Sequence, residues 1–162
     1  MVSASNNKVK KTGSQKARNS AARLLAVQAV YQMHKNDQSA EAVIKEYLEH
    51  RVGVDPDGDE MVSPNEDHFA LVVRGVEEHV AQLGDMIRQN RGKAPEEEMS
   101  SKKEPLLQAI FLCAAFELMV LQSIDAPLII ADYLHVTHAF YDKGEAKLVN
   151  ALLDSLAKTV RD

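Results

Sequence analysis

The chain has 162 residues, 45% of them hydrophobic, which suits one domain with a substantial core. Aromatics make up 5%, Trp is absent, and there are only seven Gly and five Pro, so packing falls to Ala, Val, Leu and Ile and little turn chemistry is left for an all-β fold. The net charge of −5 conceals a split: residues 1–36 hold seven cations and no acid, whereas the rest of the chain holds 12 cations and 24 acids. A basic segment on an acidic body fits either contact with a polyanion or a solubilising tail. The single cysteine, Cys113, excludes an internal disulfide and a cysteine-rich zinc site. No uninterrupted apolar run reaches the roughly 18 residues that cross a bilayer. The polar, basic start lacks the apolar stretch of a secretory signal, so the expected location is the cytoplasm, with no membrane contact.

In chain order, residues 1–15 are polar and cannot offset their ordering entropy by burial; they are expected to form a disordered basic arm before one helical domain, residues 16–162. A helix should start near Ser14–Ser20 and run to about Lys35. Its apolar residues, Leu24, Leu25, Val27, Val30, Tyr31 and Met33, occur nearly all round, which marks a central helix or, equally, one that buries a homodimer interface. Ser39 should cap a short second helix whose inner face carries Val43, Ile44, Tyr47 and Leu48. Gly53, Pro56, Gly58 and three aspartates make residues 52–62 a loop.

Ser63-Pro64-Asn65-Glu66 reads as a helix start, with Ser63 as the cap, Pro64 at the first position and Glu66 as the capping-box partner. The long run from Phe69 to Ile87 follows, weakened at Gly75 and Gly84, where a bend or break is expected. Residues 91–104 are polar, a loop or short exposed helix. Pro105 to Gln122 is strongly apolar around Glu117 and reads as a buried core helix containing an inert Cys113. Asp125-Ala126-Pro127 should open a helix ending near Asp142, and the last helix should span roughly 145–161. The fold class expected is all-α, with six to seven helices.

Catalytic signatures are absent: there is no Gly-rich phosphate loop, no nucleophile elbow and no H-E-x-x-H. Asp132, His135 and His138 lie at i, i+3, i+6 of one helix, a spacing that serves one metal poorly. The expectation is a solvated or partly packed polar face, no cofactor and no enzymatic activity.

Two blocks are more specific. The first runs from Ala21 through Arg23, Ala26-Val27-Gln28-Ala29-Val30-Tyr31 to Gln32. The second contains Phe116-Glu117-Leu118, then Ile124-Asp125-Ala126-Pro127, and Leu148-Val149-Asn150-Ala151-Leu152-Leu153-Asp154. In order and spacing they resemble the NusB family of transcription antitermination factors, over about residues 16–160. The resemblance implies an all-helical fold in two packed halves. It also implies binding of boxA-type single-stranded RNA in nascent ribosomal transcripts, together with the small ribosomal protein NusE, within an RNA polymerase antitermination complex. It carries RNA contacts onto Arg18, Arg23, Gln28, Tyr31, Lys147 and Asn150, to which the basic stretch adds Lys16 for phosphate. The chain departs from the family pattern at Leu112, where Arg is usual, at Leu148, where Phe is usual, and at Ala151, where Gly is usual. Its arm carries lysines where arginines would supply a planar fork. These departures leave a second expectation, a protein-interaction module of the same fold without boxA specificity.

Overall fold

A computed structural model describes residues 13–51, 62–91 and 105–161. Among them lie seven helices and no strand: α1 (Gln15–Lys35), α2 (Ala40–His50), α3 (Glu66–Glu78), α4 (Val80–Arg91), α5 (Pro105–Val120), α6 (Ala126–His138) and α7 (Lys143–Val160). Of the anticipated loops over 52–62 and 91–104, residues 52–61 and 92–104 lie outside the described residues, as does all but the end of the anticipated arm, and Arg91 closes α4. Helices α1, α2 and α3 pack on one another to form one half, and α4 to α7 form the other. Helix α5 joins them, because it packs on α1 and α3 as well as on α4, α6 and α7. The all-helical architecture in two packed halves is the one the sequence implied.

Helix starts follow from local chemistry. The first backbone N–H groups of a helix have no partner within it. Ser14 Oγ accepts from Ala17 N at 3.1 Å and Ser39 Oγ from Ala42 N at 3.1 Å. The Glu77 carboxylate, on α3, accepts from Ala40 N at 2.9 Å, which ties α2 to its neighbour. Tyr47, from the inner face of α2, stacks on Phe69 with ring centroids 5.9 Å apart.

Three boundaries differ from expectation. Helix α3 is capped by Asn65, whose side chain accepts from His68 N at 3.1 Å. Ser63 and Pro64 cannot act as cap and first turn because their carbonyls face α1, where the Arg18 guanidinium donates to them at 3.1 and 3.5 Å. Asn65 N in turn donates to Arg18 O at 3.0 Å, and Asn65 Nδ2 to Asn19 Oδ1 at 2.9 Å. The break in the long apolar run falls at His79 (φ −111°, ψ 19°) rather than at a glycine. Helix α6 stops at His138, where Thr137 O accepts from both Phe140 N and Tyr141 N, and Gly144 lies inside α7.

Every residue of α5 from Ala109 to Leu118 is buried. A helix apolar on all sides belongs at the centre, and Leu112, in the family's arginine position, is therefore a core side chain. Burial pushes the Cys113 thiol well above its ordinary value, aided by the charge of Glu117. The C-terminal end of α5 is closed from afar. Arg161 Nε donates to Leu118 O at 2.9 Å, Nη2 to Leu121 O at 2.9 Å and to Glu117 O at 3.3 Å, and Nη1 to Ile124 O at 2.5 Å. One guanidinium thus reaches Leu118 and Glu117 in the last turn of α5 and Leu121 and Ile124 just beyond it, where a cation also suits the helix dipole.

Gly75 explains how α3 can lie so close to α5. A Cβ at this position would come within 2.1 Å of Phe116 Cε1, and Phe116 is itself held between this backbone and the His79 ring, 6.1 Å away. Replacing Gly75 by Ala should therefore destabilise the fold by about 1–3 kcal/mol, the usual cost of overpacking, despite the better helix propensity of Ala. A G75A/F116L double variant should recover part of that loss in urea titrations; a stable G75A single variant would show that the two helices can separate freely.

Candidate nucleic-acid interface

The sequence places its cations on or near α1, so the site is best built from that helix outward. Residues 16, 20, 24, 28, 31 and 35 recur at spacings of three and four and share one side of α1. Along it Lys16 and Lys35 are exposed and Ser20, Leu24, Gln28 and Tyr31 are half-buried, Leu24 and Tyr31 against the edge of the core. Lys35 Nζ stands 5.8 Å from the centroid of the Tyr31 ring. Lys16, Gln28 and Tyr31 therefore lie along a single seam, with a cation at each end and an aromatic ring near one of them.

The two arginines take a different direction. Arg23 is 2% exposed. Its Nε and Nη2 donate to the two oxygens of the Glu117 carboxylate, both at 2.9 Å, and its Nη1 donates to Asp132 Oδ2 at 2.5 Å. Such a fork-to-fork pair is among the stronger polar contacts available. Tyr133 Oη adds a bond to Glu117 Oε2 at 2.6 Å, and Ser20 Oγ donates to Asp132 Oδ1 at 2.7 Å. His68 Nε2 lies 3.1 Å from Glu117 Oε2. The network joins α1, α3, α5 and α6. Against the expectation that Arg23 reads RNA, its guanidinium is turned into the fold and answers a buried carboxylate. Arg18 is likewise directed at the carbonyls of Ser63 and Pro64, so its Nε and Nη2 serve the fold.

Glu117 is fully buried, and burial alone would raise its carboxyl. The contacts with His68 and Arg23 more than offset that and hold it down to about 2. Burial, reinforced by the adjacent Glu117 charge, keeps the Tyr133 hydroxyl protonated and able to donate. Burial works against the charge on Arg23, but Glu117 outweighs it and keeps the guanidinium cationic.

Lys147 and Asn150, on α7, are both exposed, as is Ala151, while Leu148 is half-buried against the core. Helices α1 and α7 do not touch, so the fold does not bring the two candidate groups together; a ligand meeting both would have to extend across the surface. Asp132, the acid of the i, i+3, i+6 series, faces Ser20 and Arg23, whereas His135 and His138 are exposed.

A groove of about 1030 Å³ runs between the start of α1 and α6, with Lys16, Asn19 and Ser20 on one wall and Leu128, Ala131 and His135 on the other. A smaller depression of about 450 Å³ adjoins it and shares Lys16, Ser20 and His135.

Comparison with known proteins places this architecture. The model of the NusB family matches residues 20–158. The transcription antitermination protein NusB of Hyphomonas neptunium is 32% identical over 146 residues, 90% of this chain and 93% of that protein. Its counterpart in Rhizobium rhizogenes is 35% identical over 162 residues, 99% of this chain and 97% of that protein. In fold, the chain resembles the solved structure of T. maritima NusB at a TM-score of 0.67 and 20% identity, covering 92% of this chain and 93% of that one.

The network predicts its own sensitivity. Truncating one partner of a buried ion pair leaves the other charge stranded, so Arg23→Ala should cost about 3–5 kcal/mol in urea unfolding at neutral pH. An unchanged midpoint would show that Glu117 finds other partners. The carboxyl titrates near 4.5 when unfolded and about 2 when folded. Its stabilising contribution is accordingly complete above about pH 4.5 and disappears as pH falls through about 2. In Glu117→Gln that part of the acid dependence should vanish, which a series of urea midpoints between these two pH values measures.

Proposed function

The chain belongs to the NusB family, and on that premise we propose that it is a transcription antitermination factor that binds boxA-type single-stranded RNA of nascent ribosomal transcripts together with the small ribosomal protein NusE. It acts by binding, as one component of an antitermination complex on RNA polymerase, and carries out no chemistry of its own. The observation that carries the RNA part is the seam of α1, where Lys16, Gln28, Tyr31 and Lys35 stand in one row within the acid-free first 36 residues of the sequence. Sequence-specific RNA binding generally takes unstacked bases on rings and phosphates on cations, and this row offers both. Lys147 and Asn150 on α7 extend the proposed contact surface. Arg18 and Arg23 hold the scaffold under it.

This division of labour changes how the arm should be tested. Removing residues 1–18 would take away the Ser14 cap and the Arg18 contacts with Ser63 and Pro64, so any loss of binding would be confounded by damage to the fold. Deleting residues 1–12 removes Lys8, Lys10 and Lys11 and leaves both in place. Affinity for a boxA RNA should fall with salt at a slope of roughly −0.7 per neutralised phosphate, and this deletion should flatten the slope by up to ~2. An unchanged slope would remove the arm from the contact. In competition against a scrambled RNA, boxA should be preferred, more strongly with NusE present. Complex formation with NusE but no preference between the RNAs would instead establish the protein-interaction module.

A further inference from the structure

We propose that single-stranded RNA passes through the groove between the start of α1 and α6, where a nucleobase stacks on His135 and Lys16 meets an adjacent phosphate. The proposal rests on the RNA-binding reading above and names a contact residue on α6. Lys16, on the α1 wall, and His135, on the α6 wall, are exposed and line both the groove and its neighbouring depression, so a strand following either concavity meets both side chains. Imidazole is one of the rings on which unstacked bases are held, and alternation of a ring with a cation is the pattern of single-strand sites.

The surroundings favour a polyanion at this end of the groove. Asp132 lines the floor, but Ser20 and Arg23 occupy its two oxygens, which leaves no free carboxylate beneath His135. Asp125 lines the groove too, but at the N-cap of α6, ten residues before His135 and therefore roughly 15 Å away along the helix, beyond the ~8 Å over which exposed charges act at physiological salt. Leu128, 47% exposed, Pro127 and Ala131 provide an apolar bed between the two ends. The α1 wall of the groove carries Gln15, Lys16 and Asn19, within the acid-free first 36 residues of the sequence. The concavity thus sets a cation on one wall against a stacking ring on the other.

The test uses the full chain, a short fluorescein-labelled boxA RNA and fluorescence anisotropy across a salt series. His135→Ala should weaken binding by about 5-fold or more, in line with the loss of one base–aromatic stack, with the salt slope unchanged. His135→Phe should stay within about 3-fold of the parent, since it keeps the ring. Lys16→Ala should weaken binding and reduce the slope by about 0.7. His138→Ala, also exposed on α6 but lining neither concavity, should bind as the parent does. Parent-like affinity of His135→Ala overturns the proposal while leaving the RNA reading intact. Loss of NusE binding without loss of RNA binding would give the groove to the protein partner and equally overturn it. Failure of the parent chain to bind RNA at all would sink the underlying reading and this one together.

Discussion

A buried carboxylate sits in the last turn of the most apolar helix of this fold. An isolated ion in such a place is so unfavourable that it must be paired or neutralised. Glu117 is answered by Arg23 through two parallel hydrogen bonds, by the Tyr133 hydroxyl and by the approach of His68. The partners come from α1, α6 and α3, so neutralising one charge fixes the mutual placement of four helices. Apolar packing alone would bring α1 and α5 together with some freedom of rotation and sliding. The fork of Arg23, closed on Glu117 on one side and on Asp132 on the other, accepts only one register. What the network confers is best understood as specificity of arrangement, because a well-packed apolar replacement is often no less stable than a buried ion pair.

That arrangement decides which groups are left for an outside ligand. With Arg23 and Arg18 held by the fold, the exposed cations of the proposed contact row are lysines. Lysine contributes charge with little directional demand, so on the proposed reading directional recognition would fall to side chains such as Tyr31, Gln28 and Asn150. Affinity and selectivity would then be carried by different residues of that proposed surface.

Much of the fold was legible in the sequence. Ser39 as a cap, the apolar continuity of α5 and the Pro-initiated α6 all reflect local chemistry that the tertiary structure leaves intact. The start of α3 was misread because Ser63-Pro64 satisfies every local requirement of a cap, yet Arg18, 45 positions earlier, draws the Ser63 carbonyl toward α1. The break at His79 was assigned to nearby glycines for a similar reason: Gly75 answers a packing need, the Phe116 ring, which appears only when α3 meets α5. In the candidate site, the outward lysines were legible from charge. The inward turn of Arg23 was not read, although a signal for it existed. A lone Glu in an apolar helix and a lone Arg in another are each costly, and each is the natural answer to the other.

The closure of α5 by Arg161 has a consequence in time. A chain emerging from the ribosome supplies its N-terminal half first, at about 5–20 residues per second. Arg23 precedes Glu117 by 94 positions, and the carbonyl of Leu118 precedes Arg161 by 43. The first three helices are thus synthesised with the arginine of their interior still unmatched, and the central helix is complete while its final turn still has open acceptors. The first half waits on a charge delivered by the second, and the central helix on one that follows α7, so that full closure is reserved for a chain translated through α7.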